Sequence, residues 1–523
     1  MSAVKTFTFE KKSFQRIKAY HFGKDWPVVY ILEGKKEAYI GETVSVYQRS
    51  KQHYDNSERS KLDNIHVIAD LDYNKSATLD IEAMLIKYIS ADGKFILQNG
   101  NSGLKEHNYY DREKYKAKLK KTIWPALQEK HLVSKSIEEI ENSDLFKYSP
   151  YKSLTEDQLE IAEEICQNLK DGSQPTHIVS GKPGTGKTIL AIYLIKYLSE
   201  HKDFKHLNIA LVVPMTSLRK TVKQVFKNIK NLKTSMVIGP NDVVKEKYDL
   251  LIVDEAHRLV RRKNITNYDA FDKVNKKLGL SDSATSLDWI LRSSKNQILF
   301  YDKNQSVKPS DVRAKDFEKL NKKFYKLSSQ MRVKGGEEYI NFIETLFEQK
   351  NEKDINFSDY EFKIYDELEI MINDIKEKNK KHGLSRVVAG YAWPWHTKKG
   401  SKDYDIDING LKLIWNSKAI DWVNSPNSIN EVGCIHTVQG YDLNYVGVII
   451  GPEISYDKKN DKLIINREKY LDINGRKGVT DINELKEYII NIYKTLLTRG
   501  IFGTYVYIVD EDLRNYFQVQ IKN

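Results

Sequence analysis

The chain has 523 residues, 40% apolar and 30% charged, with a formal net charge of +12. That length exceeds what one hydrophobic core serves and suits about three domains of roughly 150 residues each, while the composition excludes a disordered or collagen-like chain. The positive balance favours polyanion partners, nucleic acid first, because neutralised phosphates release counterions; the competing reading is a Lys-rich surface that serves solubility.

In chain order, "VVYIL" and "EAYIG" read as two short strands joined by "EGKK", a hairpin by its turn residues. "SVYQRSKQHY" follows as a helix on which Arg49 and His53, four apart, share one face. "ATLDIEAMLIKYIS" (77–90) is helical with Glu82 near its start, and "LQNGN" presents Asn99 and Asn101. Residues 111–150 are charged and partly helical, a connector interrupted at Pro125. From Leu154 onward apolar strands alternate with helices: "THIVSG", "NIALVVP", "DLLIVDEA", "NQILFYD", "SRVVAGYAW", "YVGVIIGPE" and "GTYVYIVDE". Near-continuous apolar strands between helices predict parallel sheets buried on both faces. The fold class is α/β, with a division near 325–360 and a domain plan of 1–110, 111–150, 151–330 and 331–523. No apolar run approaches the ~20 residues of a membrane helix. The start lacks a secretory signal's apolar core, and Cys166 and Cys434 stand apart, so a cytoplasmic protein without a membrane partner, disulfide framework or zinc site is expected.

"GKPGTGKT", Gly181–Thr188, fits the eight-position phosphate-loop pattern and lies between a strand and a helix, as that loop requires. Gly184 and Gly186 let backbone N–H groups curl round phosphates, with Gly181, Lys182, Pro183 and Thr185 completing the cradle. Lys187 reaches the β/γ oxygens and Thr188 offers its hydroxyl to Mg²⁺. "LLIVDEAHRL" ends an apolar strand with Asp254 for the Mg²⁺ shell and Glu255 beside the attacking water; as a bland alternative the two acids cap a helix. A nucleoside triphosphatase using ATP and Mg²⁺ follows. Further stretches offer Gln158, 23 residues before the loop, for the adenine edge, and Gln305 as a γ-phosphate sensor. Arg332 and Arg499 offer themselves as arginine fingers, and Gln439–Gly440 lie in "HTVQGYD". Singly, each of these reads equally as a surface arginine, a turn glutamine or a solvated side chain. Trp393 and Trp395 can stack bases, though packing is the better reading.

In order, Gln158, Lys187, Asp254–Glu255, Gln305, Arg332, Gln439 and Arg499 resemble the motifs of superfamily 1 helicases. "VAGYAWPW", "EVGCIHTVQGYDLNYVGVIIGPE" and "LLTRGIFGTYVY" resemble the Schlafen-type DNA/RNA helicase domain. That resemblance implies two RecA-like domains with ATP between them and arginines supplied across the cleft. About 370 residues leave little room for accessory insertions, which favours translocation or switching over processive unwinding.

The succession Tyr30, Tyr39-x-Gly41, Arg49, His53, Glu82 and Asn99 resembles the GIY-YIG nuclease domain, with "VVY" in place of Gly-Ile-Tyr. The resemblance implies Tyr30, with His53, as a base and Arg49 on the scissile phosphate. Glu82 becomes the carboxylate ligand of Mg²⁺ or Mn²⁺. Position by position, the same residues read as strand packing and a solvated helix face. Together the regions predict an ATP- and metal-dependent DNA-processing enzyme, with RNA as an alternative substrate, acting in restriction or defence against phage. The alternative is a nucleic-acid-sensing ATPase switch whose N-terminal domain only binds; a small-molecule kinase has no use for the Gln439 and Arg499 stretches.

Overall fold

The structure, a computed structural model, describes residues 3–99, 109–173, 175–349, 357, 359–397, 404–418 and 420–522. Asn101, and 350–356 and 358 of the expected division, lie outside the described residues. The chain forms two compact units: Met1–Ala162 with Ile192–His206 and Thr221–Met236, and Glu163–Ala191 with Leu207–Lys220 and Val237–Asn523.

The first unit is built on five strands: β1 (Ala3–Thr8), β2 (Val28–Glu33), β3 (Glu37–Thr43), β4 (Asn64–Ala69) and β5 (Ile96–Leu97), in the order β1-β4-β2-β3-β5. The expected hairpin is β2–β3, with Tyr30 opposite Gly41. The helix Val46–Tyr54 starts where Ser45 accepts from the Gln48 N–H. The helix Lys75–Asp92 starts at an Asn74 cap and stops at Gly93, whose φ of +78° suits glycine. Phe7, Phe14, Val28, Tyr30, Leu32 and Ile65 pack the sheet's core.

Pro125 does not interrupt the connector. Helix Arg112–Lys118, a π-turn Leu119–Ile123 and helix Trp124–Glu129 run on without a break. A proline lacks the N–H of a regular turn, and here it falls in the first turn after the π-turn, where that loss costs least.

The second unit holds two parallel sheets. The first contains β6 (Thr176–Gly181), β7 (Ile209–Val212), β8 (Val237–Ile238), β9 (Tyr248–Val253), β10 (Ser294–Tyr301) and β11 (Lys323–Leu327), ordered β11-β6-β10-β9-β7-β8, every neighbouring pair parallel. The second contains β12 (Glu361–Tyr365), β13 (Arg386–Ala389), β14 (Ile406–Ile408), β15 (Leu411–Trp415), β16 (Glu431–Cys434), β17 (Leu443–Ile450) and β20 (Gly500–Ile508). Its order is β12-β20-β17-β13-β16-β15-β14, with only the β14–β15 pair antiparallel. A ribbon of β18 (Ile454–Asp457) and β19 (Lys462–Ile465) stands beside it. All seven apolar runs expected as strands are strands of these sheets. The α/β architecture with parallel sheets is as expected. Trp393 and Trp395 pack against the core around Trp415, Val387 and Ile449, the bland of the two readings.

Candidate active sites

The buried strand β6 ends at Gly181, and the chain turns through Gly184 and Gly186 at φ +87° and +76°, a region open to glycine at little cost. A Cβ on Gly181 would overlap the Thr185 hydroxyl, and one on Gly184 the Gln330 amide oxygen. Thr185 donates to the Lys182 carbonyl at 3.0 Å. Lys187 opens the next helix, its Nζ donating to the Gly181 and Lys182 carbonyls (2.6 and 3.1 Å) and lying 3.6 Å from Asp302 Oδ2. Thr188 Oγ1 donates to Asp254 Oδ2 at 2.8 Å.

Asp254 and Glu255 close β9, both buried. Burial first, then the Glu255 charge, pushes the Asp254 carboxyl up to about 7. Glu255 is also desolvated, but His257, with Nε2 2.9 Å from Oε2, together with Lys187 and Arg499 outweighs that and holds it below the usual range. Its φ of +50° is a strained conformation for a non-glycine residue. A hydroxyl and a carboxylate oxygen 2.8 Å apart fit a hard cation, since neighbouring ligands of an octahedral Mg²⁺ at ~2.1 Å are roughly 3 Å apart.

The later motif residues are held as follows. Gln305 donates to Asp302 at 2.7 Å, while its buried Oε1 has no hydrogen-bond partner. Gln439 is buried with neither amide atom bonded, beside Gly440 at φ +91°. Buried amides left open in this way are rare unless something else satisfies them. Arg499, 1% exposed, donates to the Thr495 carbonyl at 3.1 Å. Arg332 is ion-paired with Asp442. Gln158 belongs to the other compact unit, where its buried amide oxygen accepts from the Thr155 N–H at 3.1 Å.

Three functional contacts escaped the sequence reading. Gln330 donates to the Pro183 carbonyl (2.8 Å) and accepts from the Arg332 N–H (2.8 Å), while the Met331 N–H donates to the Gly184 carbonyl (2.8 Å), so segment 330–332 is latched onto the phosphate loop. Lys182 donates to Asn341 (2.6 Å) instead of pointing freely. His257, inside the quoted "DEAHRL", carried the only readable signal.

The first unit gathers Tyr30, Tyr39, Arg49 and His53. Gly41 faces Tyr30 across the hairpin, and a Cβ there would overlap the Tyr30 hydroxyl, which is the physical content of the Tyr-x-Gly spacing. Gly41→Ala is expected to cost about 1–3 kcal/mol through overpacking, read as a lowered denaturant midpoint; an unchanged midpoint would count against this packing. Tyr30 Oη lies 2.7 Å from His53 Nε2 and 3.3 Å from Arg49 Nε. His53 Nδ1 lies 2.9 Å from Arg59 Nη1, whose guanidinium stacks 3.9 Å above the Tyr39 ring.

That pattern assigns the histidine tautomer. A guanidinium only donates, so Nδ1 must accept and the imidazole proton sits on Nε2. His53 therefore donates to Tyr30, as Arg49 does. With two donors on its oxygen, Tyr30 has to aim its own proton elsewhere. Burial, then Arg59 and Arg49, pushes His53 down to about 3, so it stays neutral, while burial pushes the Tyr30 hydroxyl up. Because His53's folded value lies below its unfolded ~6.5, its contribution to stability is complete above pH 6.5 and is lost as pH falls toward 3. His53→Gln is expected to flatten that acid limb in pH-dependent urea unfolding, and an unchanged limb would refute the assignment.

Glu82, half-buried on the helix Lys75–Asp92, is pushed up to about 7 by burial and then by the Glu42 carboxylate, itself paired with Lys75. No group of three or more metal-ligating side chains occurs among the described residues. One carboxylate with water as the remaining ligands still fits Mg²⁺, which dehydrates reluctantly. Asn99 spends its amide inside the sheet, accepting from the Ile40 N–H (3.0 Å) and donating to the Ile40 carbonyl (2.7 Å), so it holds β3 next to Tyr39 and Gly41.

Residues 175–510 match the sequence model of the family described as Schlafen group 3, DNA/RNA helicase domain. The uncharacterized protein YPL245W of Saccharomyces cerevisiae is 29% identical over 401 residues, spanning 67% of this chain and 85% of that protein. Among solved structures, AMPPCP-bound DnaA from Aquifex aeolicus is 17% identical, covering 40% of this chain and 57% of that one, with a TM-score of 0.21. The arterivirus nonstructural protein 10 helicase is 11% identical (67% and 63% covered, TM-score 0.25). The Pif1 helicase from Candida albicans is 10% identical (70% and 99% covered, TM-score 0.29). The chain thus spans less than two thirds of the first two of these structures.

Proposed function

The chain belongs to the Schlafen group 3 DNA/RNA helicase family, and from that premise we propose an ATP-hydrolysing motor or switch joined to a metal-dependent nuclease acting on DNA, or on RNA. The domain plan is 1–110 nuclease, 111–150 connector, and 151–330 and 331–523 as the two halves of the ATPase. The observation that carries the ATPase reading is the half-buried Thr188 hydroxyl bonded to the buried Asp254 carboxylate at the mouth of a phosphate loop.

Bound ATP displaces the carbonyls from Lys187, which then takes the β/γ oxygens. Thr188 and Asp254 would hold a Mg²⁺, which would supply charge neutralisation when bound. Glu255, kept ionised by His257, orients the attacking water and takes its proton. The open amides of Gln305 and Gln439 report on the γ-phosphate, and Arg499 meets the charge that develops in transfer.

In the nuclease half, Arg49 holds the scissile phosphate and the Tyr30 hydroxyl, whose own proton neither His53 nor Arg49 accepts, orients the water. Glu82 would hold Mg²⁺ or Mn²⁺, which would supply charge stabilisation for the leaving group when bound. A role in defence against phage rests on the domain pairing alone. The sensing-switch reading is favoured by the Arg332–Asp442 ion pair, which keeps one finger engaged until closure releases it.

The test is cleavage of labelled single-stranded, duplex and forked DNA and matching RNA, in Mg²⁺ or Mn²⁺, with and without ATP. Loss with Glu82→Ala supports the nuclease, and loss with Lys187→Ala as well makes cutting depend on ATP turnover. If nothing is cut while nucleic acid still stimulates ATP hydrolysis, the switch reading stands and the nuclease falls.

A further inference from the structure

Three separate pieces of chain bring ammonium groups to one aromatic ring in the first unit. Lys18, at the end of helix Phe14–Ala19, Lys24, in the following turn, and Lys51, on helix Val46–Tyr54, place their Nζ atoms 5.8, 5.5 and 5.8 Å from the centre of the Tyr47 ring. Two turns on, Lys11 lies 5.7 Å from the Tyr54 ring. The Tyr47 N–H donates to the Gly23 carbonyl at 3.1 Å, which ties the helix start to the turn carrying Lys24.

All three collar lysines are exposed, and among the described residues none of them forms an ion pair. Like charges gathered round one ring repel, and cation–π attraction at an exposed site is worth only about 0.5–1 kcal/mol. An anion with several negative oxygens turns that repulsion into attraction. Tyr47, Lys51 and Tyr54 lie at i, i+4 and i+7 on one stripe of the helix, while Arg49 and His53 lie on another, facing Tyr30.

We propose that the Tyr47 lysine collar is a docking surface for a nucleic-acid phosphodiester backbone. It holds the strand so that it passes from Lys18, Lys24 and Lys51 round the helix to Arg49. The helix of nine residues is ~13 Å long, so collar and candidate nuclease site are only a few nucleotides apart. This rests on the nucleic-acid reading above, not on cleavage taking place. The partner is nucleic acid, rather than an acidic protein or lipid surface, because the collar shares its chain with a DNA/RNA helicase domain.

The test is fluorescence anisotropy of the full chain on labelled duplex DNA, single-stranded DNA and RNA, in EDTA without nucleotide, over a salt series. The wild type is compared with a Lys18→Gln, Lys24→Gln, Lys51→Gln triple variant and a triple Lys→Arg variant. Each phosphate contact contributes about 0.9 to the log–log salt slope on duplex. The Gln variant is therefore expected to lose about 2–3 from the slope and at least about 10-fold in affinity, while the Arg variant keeps both. Unchanged slope and affinity in the Gln variant would overturn the collar and leave the family's nucleic-acid binding intact. If the wild type binds none of the three, the collar and the nucleic-acid reading fall together. The arm with the larger slope change identifies the strand form held.

Discussion

An Arg499→Ala variant is expected to lose about 10³-fold or more in kcat for ATP hydrolysis, the range of an arginine finger, while fluorescent-ATP affinity changes only a few-fold. Arg499 is buried, its Nε is held by the Thr495 carbonyl, and it lies close enough to Glu255 to help keep that carboxylate ionised. It is thus poised beside Glu255, the proposed water-orienting carboxylate, and its planar fork is already oriented. Loss of charge at developing negative oxygens is felt in the transition state far more than in the bound state, which is why kcat and not affinity carries the penalty. Arg499→Lys keeps the charge but not the fork, and is expected to recover only part of the rate. A variant that folds, binds ATP and hydrolyses it at the wild-type rate would remove Arg499 from the site and leave Arg332 as the finger.

On the proposed nuclease reading, an Arg59→Ala variant is expected to lower strand cleavage by about 10²-fold or more, the order of loss when an active-site histidine is left in the wrong tautomer. Arg59 hydrogen-bonds to neither Glu82 nor Arg49, the proposed metal and phosphate ligands, and acts through His53. In the wild type its donor-only guanidinium forces Nδ1 to accept, so Nε2–H points at Tyr30. Without it, His53 can bond through either nitrogen, and its pKa rises from about 3, because one of the two neighbouring cations that depress it is gone while burial remains. Nitrogen-15 NMR of labelled histidine reads this without substrate: a single Nε2–H tautomer in the wild type, and a mixture whose titration moves to higher pH in the variant. An Nδ1–H tautomer in the wild type would sink the assignment even if cleavage fell.

What the sequence alone determined was local. Gly181–Thr188 is legible because eight consecutive residues, one strand and one helix make the whole loop, and no distant residue has to be placed. The seven apolar strands were legible because strands buried on both faces carry continuous hydrophobic runs, as in β9 and β17. Strands such as β8, β11, β12 and β14 escaped because they are short or lie toward sheet edges, where burial is only partial and the pattern weakens. The order of Tyr30, Tyr39, Arg49 and His53 could be read, but Arg59 could not, since nothing in "NSERSK" marks one cation for a buried imidazole.

Tertiary structure decided the rest. Arg332 meets Asp442, Gln330 seats on Pro183, and Lys182 reaches Asn341, contacts between residues more than a hundred positions apart. Such pairs are chosen by how sheets and helices stack, and a hydrogen bond leaves no periodic trace in either of the segments it joins. The same reason separates Gln158, bonded to Thr155 within its own unit, from Gln305 and Gln439, whose open amides only burial could reveal.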